Sequence, residues 1–236
     1  AETDYFLAPL MSSISICAVI PTLNEEEHVA QCIAELKNQS VSQIIVADGG
    51  SDDRTLEIAR ELGVEVVSSQ RGRGHQLQVA IDHTDCDLIW MIHADCIPPT
   101  MAVQAIGQSM AAGARWGAFM IEHVVPVAAS KRMAWCLRMA NKRSRTTSLP
   151  YGDQAIFVQR ELLIQIGGVP KQELMEDLEL SIRLNKIVPP LIIENRVSVN
   201  PRRFIRRPIT TFIAWMLFPL LYRFGVSPQR LMRWYG

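Results

Sequence analysis

Six carboxylates and one histidine in this chain stand where side chains commonly do chemistry: at the ends of apolar runs, beside glycine, or paired in sequence. Asp95 follows the run Leu88-Ile89-Trp90-Met91-Ile92-His93-Ala94. A carboxylate there suits a divalent cation, Mg²⁺ or Mn²⁺, set to neutralise a diphosphate leaving group. His93 lies two residues earlier and shares the same face if the segment stays extended. An imidazole ligand tilts the choice toward Mn²⁺ or another transition metal over Mg²⁺; the alternative for His93 is a structural hydrogen bond. Asp48, followed by Gly49-Gly50-Ser51-Asp52-Asp53, can accept hydrogen bonds from a base or ribose while the glycines admit close backbone approach. An Asx-turn that opens a helix explains it as well. Asn24 and Glu25, after Pro21-Thr22-Leu23, carry the same two readings, ligand contact or helix cap. Glu176 and Asp177 are adjacent near a helix start, where they complement the dipole or supply a general base for an acceptor hydroxyl. Asp153, preceded by Gly152, is a further candidate for donor or acceptor contact. Arg73 between Gly72 and Gly74 suits a phosphate. The third glycine of a dinucleotide fingerprint is missing, so a dehydrogenase is not expected.

These groups need a scaffold that brings them together. Apolar runs at 16–20, 44–47 and 88–92 each end in one of the polar cassettes. In open α/β sheets such loops gather at the carboxyl edge, where ligands bind. Between them, helical spacing is read from Glu25 to Asn38, from Ser51 or Asp52 to Leu62, and from the Arg71-Gly72-Arg73-Gly74 turn to about His83, with a short strand at 64–67. The alternation predicts a mostly parallel sheet with right-handed crossovers. Further on, helices are expected at about 100–113, 130–145, 160–166 and 173–185, and strands at 118–125, 155–158 and 191–194.

The 236 residues suit one α/β domain, and 48% of them are apolar, enough for a core. Residues 14–200 are read as that domain and 201–236 as a helical tail. Residues 1–13 are expected to be an extension outside the fold, with no signal peptide and with Met11 a candidate natural start. Five cysteines without CxxC spacing give no support to zinc and fit reduced thiols in a cytoplasmic protein. Net charge is zero, yet residues 196–236 hold eight arginines and no acid. A polarity this sharp suits a tail that meets something anionic, or one packed on the acidic body. The segment 209–224 is apolar nearly all round, too short to span a bilayer, and interrupted by Pro219. It is read either as an interfacial helix on anionic lipid or as a helix docked on the domain or on a second copy in a homodimer. Basic residues interleave with Met133, Trp135, Leu137 and Met139 over 130–145, which could join 202–233 in a peripheral membrane contact. No nucleic-acid module is recognisable there, and no nucleic-acid partner is expected.

The cassettes together resemble the inverting glycosyltransferases of family 2, with a GT-A fold. The residues that carry the resemblance are Val19-Ile20-Pro21-Thr22-Leu23-Asn24-Glu25, Val46-Ala47-Asp48-Gly49-Gly50-Ser51-Asp52-Asp53-Arg54-Thr55, His93-Ala94-Asp95, Gly152-Asp153-Gln154 and Glu176-Asp177. Pro201-Arg202-Arg203-Phe204 and Gly225-Val226-Ser227-Pro228 look like a subgroup found beside radical-SAM or arsenosugar genes. The resemblance implies a Rossmann-like central sheet, a nucleotide-sugar donor with uridine favoured, and a divalent metal. It implies that Pro21, Thr22, Asn24 and Glu25 line the nucleoside pocket, that Asp48 and Gly49 meet the base, and that Arg73 approaches the nucleotide. Asp95 matches the metal-binding carboxylate, with His93 where the family usually has the motif's first aspartate. Gly152, Asp153, Gln154, Arg202 and Arg203 are expected to touch substrate, and Asp177, with Glu176 beside it, to be the catalytic base. The acceptor, a lipid or a small molecule, is left open, as is attachment to the cytoplasmic face of a membrane. The rival of another class is a nucleotide-binding scaffold without turnover, suggested by His93.

Overall fold

The computed structural model describes residues 14–125, 131–172, 174–206 and 208–235; the expected extension at 1–13 lies outside them. Strands β1 (Ile16–Thr22), β2 (Gln43–Asp48), β3 (Glu65–Ser68) and β4 (Leu88–Met91) alternate with helices α1 (Val29–Lys37), α2 (Thr55–Glu61) and α3 (Arg73–Asp82). Then come β5 (Cys96–Ile97), α4 (Ala102–Ala111), β6 (Trp116–His123), α5 (Lys131–Thr146) and a 3₁₀ turn, Gly152–Gln154. β7 (Phe157–Gln159), α6 (Arg160–Gln165), α7 (Glu176–Asn185) and β8 (Leu191–Val199) complete the body. The tail holds α8 (Arg202–Arg206), α9 (Pro208–Arg223) and α10 (Pro228–Tyr235).

The eight strands form one sheet in the order β3-β2-β1-β4-β7-β6-β8-β5. β1 to β4 pair in parallel, as the alternation of strand and helix requires. β7 runs antiparallel to both neighbours, β6 and β8 are parallel, and β5 is antiparallel to β8. Both faces of the sheet are covered, which explains the unbroken apolar runs. Along β1, Ile16, Ala18 and Ile20 pack beneath α1, α2 and α4, while Cys17 and Val19 face α3, α6 and α7. Trp90 and Trp116 are buried, and their indole N–H groups donate to the carbonyls of Ala155 and Val188 at 3.2 and 2.8 Å. All five cysteines are free thiols; Cys17, Cys32 and Cys96 are buried, Cys86 and Cys136 half-buried. Burial pushes the Cys17 thiol up to about 12, so it stays protonated and inert.

Two helix starts differ from expectation for one reason: polar side chains tie loop to loop before they cap a helix. Asn24 does not cap α1, which begins at Val29. It adopts φ +55°, its Oδ1 accepts the Asp52 N–H at 3.0 Å, and its own N–H donates to Ser51 Oγ at 2.9 Å. Neither Ser51 nor Asp52 caps α2; Asp53 accepts the backbone N–H groups of Thr55 and Glu26 at 2.9 and 3.1 Å. α7 starts at Glu176, directly after Met175 at φ +64°.

The tail is docked on the body along one side. Leu174, Ala214, Phe218 and Leu231 form a small buried cluster, and the Tyr222 hydroxyl donates to Glu179 Oε2 of α7 at 2.7 Å. α9 also runs through Pro219 without the expected break. A proline there cannot donate to the carbonyl four residues back, that of Trp215. Arg143 Nη1 of α5 donates to that carbonyl instead, at 3.2 Å.

Candidate active site

The carboxyl ends of β1, β2 and β4 meet at one edge of the sheet, so the three cassettes converge. At the end of β2, Asp48 is 2% exposed. Its Oδ2 accepts the N–H groups of Gly50 and Ser51 at 2.8 and 2.9 Å, and its Oδ1 accepts from the hydroxyls of Ser51 and Thr22. The Asx-turn reading therefore describes Asp48: its carboxylate holds the loop in shape. Gly49 N–H donates to the Thr22 carbonyl at 2.9 Å, joining the first two cassettes. Gln76 of α3, unremarked in the sequence, locks them from behind. It is buried, and its amide donates to the Thr22 and Ala47 carbonyls at 2.6 and 2.9 Å. A side chain at Gly49 would meet that amide at 3.1 Å. Pro21 and Thr22 are buried, whereas Asn24 is exposed at the rim.

The end of β4 carries the charge. Asp95 Oδ2 accepts from Arg202 Nη2 at 3.0 Å and Nε at 3.1 Å, and the same guanidinium contacts Glu25 Oε1. Burial opposes the charge on Arg202, but the two carboxylates outweigh it and hold the guanidinium above its ordinary value. Among the described residues, Glu25 Oε2 is buried without a hydrogen-bond partner. Beside this triad, His93, Asp95 and Cys96 offer ligand atoms within 4.8 Å of one another. A nitrogen, a carboxylate oxygen and a nearby thiol fit a transition-metal dication better than Mg²⁺. Arg203 is part of α8, but its side chain lies outside the described residues.

Glu176 and Asp177 part company. Glu176 is 2% exposed and ion-paired with Arg73 Nε at 2.6 Å. Burial, only partly offset by Arg73, raises its carboxyl above the usual range. Glu176 and Arg73 thus fasten α7 to α3, a structural role beside the catalytic one expected of Glu176. Asp177 instead lines a cavity of about 180 Å³ together with His93, Asp95 and Asp153. Its Oδ2 accepts the Gly152 N–H at 2.9 Å and its Oδ1 the Leu178 N–H at 2.7 Å. A Cβ at Gly152 would stand 2.8 Å from His93 Nε2 and 3.3 Å from Asp177 Oδ2, so the missing side chain lets the 3₁₀ turn slip between them. Gln154 does not face this cavity. It is buried, and its amide donates to the carbonyls of Phe119 and Ser144 at 3.0 and 3.3 Å, making it a brace for the turn.

The far wall of the cavity comes from the tail and α5: Phe204, Thr211, Ala214, Trp215, Phe218 and Pro219, with Arg143 between them and the carboxylates. The Arg143 guanidinium lies 4.0 Å from the centre of the Tyr151 ring and 4.1 Å from that of Trp215. Burial lowers its pKa, opposed by Tyr151, Asp153 and Asp177. Sequence reading missed Arg143 and Trp215, since one appears as a member of a basic stretch and the other as part of an apolar one.

The family model described as glycosyl transferase family 2 matches residues 17–165. The chain belongs to that family. Among curated relatives, the glycosyltransferase AglJ of Haloferax volcanii is 34% identical over 83 residues, which cover 34% of this chain and 27% of AglJ. The chain thus spans little more than a quarter of that relative's length. Two solved structures share the fold. The mannosyltransferase PcManGT of Pyrobaculum calidifontis, in complex with GDP-Man and Mn²⁺, has a TM-score of 0.63 at 16% identity, covering 93% of this chain and 67% of that one. Glucosyl-3-phosphoglycerate synthase of Mycobacterium tuberculosis, in complex with Mn²⁺, UDP and phosphoglyceric acid, has a TM-score of 0.60 at 21% identity, covering 90% and 79%. The mostly parallel sheet with helices on both faces is therefore that of the GT-A glycosyltransferases.

Proposed function

We propose that this family 2 member transfers a glycosyl group from a nucleoside-diphosphate sugar, a UDP-sugar in the first instance, to an acceptor hydroxyl with inversion. The observation that carries the reading is that Asp177 opens into the same cavity as the Asp95–His93 pair. One carboxylate is then available to the acceptor while the other serves the leaving group. The nucleoside lies against the first two cassettes, with Pro21, Thr22, Gly49 and the Asp48 turn shaping the base site and Asn24 at its rim. The unpartnered Glu25 Oε2 accepts from a donor hydroxyl. Arg73, which lines the cavity, and Arg202, paired with Asp95, add positive charge where the diphosphate develops negative charge. Gly152 and Asp153 face the transferred sugar. A divalent cation held by Asp95 and His93 supplies Lewis-acid neutralisation of the leaving diphosphate when bound.

Asp177 takes the proton of the acceptor hydroxyl. The acceptor oxygen bonds to the anomeric carbon from the face opposite the diphosphate, the anomeric C–O bond breaks, and its electron pair leaves with the nucleoside diphosphate. Much of the acceleration comes from holding both substrates in line. The test is release of nucleoside diphosphate from a panel of UDP-, GDP- and dTDP-sugars by the full chain with Mn²⁺. Release from one donor, slow with water alone, is expected. Tight nucleotide binding without release from any donor would favour the scaffold reading instead.

We further propose that the outer faces of α5, α9 and α10 rest on anionic lipid. Trp135, Ile213, Met216, Leu217, Leu220 and Trp234 are exposed there. Lys131, Arg132, Arg138, Arg230 and Arg233 are interspersed with them, and these three helices contain no acidic residue. Apolar side chains flanked by cations suit the headgroup boundary. Among the described residues no helix is long and apolar enough to cross a membrane. The protein is expected to co-sediment with vesicles containing phosphatidylglycerol, to be released by high salt, and to lose binding at least tenfold in Leu217→Glu. Equal binding to neutral vesicles and indifference to salt would remove the electrostatic part of this proposal.

A further inference from the structure

The cavity has two unlike walls. On one side stand His93, Asp95, Asp153 and Asp177; on the other stand Phe204, Ala214, Trp215, Phe218 and Pro219, with the Thr211 hydroxyl beside them and the His123 ring edge-on to Phe204. The boundary between the two sides is Arg143. Tyr151 and Trp215 cover the flat faces of its guanidinium, and Nη1 is held by the Trp215 carbonyl. A hydrophilic acceptor would need hydrogen-bonding groups on every wall it touches, because a sugar hydroxyl buried against phenylalanine and proline loses its water without replacement. The α9 wall offers little of this. The two faces of α9 differ in surroundings: Ala214, Trp215 and Phe218 face the cavity, whereas Ile213, Met216, Leu217 and Leu220 on the opposite face are exposed.

We infer that the acceptor is an amphipathic alcohol, which presents its hydroxyl to Asp177 and lays an apolar chain against α9. This rests on the transferase reading above. It assigns the tail a part in the acceptor site: α9 is the wall that selects an apolar body, and Arg143 is the polar edge at which the head group stops.

The test uses alkyl β-glucosides from methyl to octyl, below their micelle-forming concentrations. Binding to the full chain is followed by tryptophan fluorescence, with Trp215 as reporter. Burying each added methylene tightens binding about fourfold, so octyl should bind roughly 200-fold more tightly than butyl if the whole chain is enclosed. Thr211→Trp, which narrows the cavity, should flatten this gradient, and Leu220→Ser on the outer face should leave it. A long-chain member that binds as well from phosphatidylglycerol-containing vesicles as from solution marks a lipid source; binding confined to solution marks a small soluble alcohol. A flat series in the unmodified protein would overturn the inference, as would a gradient removed by Leu220→Ser and untouched by Thr211→Trp, which is surface adsorption. Nucleotide binding, followed by thermal stability in the same preparations, separates the two readings. If UDP stabilises the protein and the series is flat, the acceptor inference fails and the donor site stands.

Discussion

Asp177→Asn is expected to lower glycosyl transfer by about 10²- to 10⁴-fold, the range for removal of a general base, while nucleotide binding is unchanged. The amide keeps an oxygen that can accept the Gly152 N–H now bonded to Oδ2 at 2.9 Å and gives up only the contact of Oδ1 with the adjacent Leu178 N–H, so the turn and the cavity should persist. What it lacks is the ability to take a proton. Donor hydrolysis and transfer, read beside thermal stability with bound UDP, will show whether activity falls without loss of binding. Glu176→Gln should behave differently. Glu176 is buried against Arg73 rather than open to the cavity, so its loss should lower the melting temperature first and transfer only secondarily. Transfer that survives in Asp177→Asn and disappears in Glu176→Gln would exchange the two roles.

Arg202→Ala should have the largest effect on the folded protein without ligand. Its guanidinium contacts both Glu25 and Asp95, two carboxylates with little exposure, and its removal takes away the cation they share. Breaking a buried charge pair costs about 3–5 kcal/mol. Because the Arg202 side chain is itself 24% exposed, a loss of about 2–3 kcal/mol is expected here. Mn²⁺ should restore part of that loss in Arg202→Ala, since a cation near Asp95 replaces the missing charge, and it should do less for the unmodified protein. A melting temperature unchanged by Arg202→Ala would mean that the triad holds nothing together.

The parts of this molecule that could be read from sequence are those whose cause is local. Strand-length apolar runs closed by Asp48 and Asp95 gave the parallel half of the sheet, because two covered faces demand uninterrupted burial. The antiparallel placement of β7 between β4 and β6 was not readable, since it depends on partners tens of residues away. The same limit applies within the site. Asp177 and Glu176 are neighbours in sequence, and only the contact of Glu176 with Arg73, on another helix, tells them apart. Gln154 sits in a matching motif but turns inward to the Phe119 and Ser144 carbonyls. Pro219 was expected to interrupt the tail helix, because nothing local shows that Arg143, in another helix, supplies the hydrogen bond that proline cannot. The tail read as an appendage because its residues carry no motif; its cavity wall is visible only once α9 lies across from Asp177.

The most direct measurement of the donor site is the thermal stability of the protein with UDP, GDP, CDP or dTDP, each with and without Mn²⁺. A ligand at a hundredfold excess over its dissociation constant stabilises by about 2.7 kcal/mol. A gain for UDP that requires Mn²⁺ and vanishes in Asp95→Ala is predicted. No gain for any nucleotide, with or without the metal, would contradict a nucleotide-sugar site at the ends of these three strands.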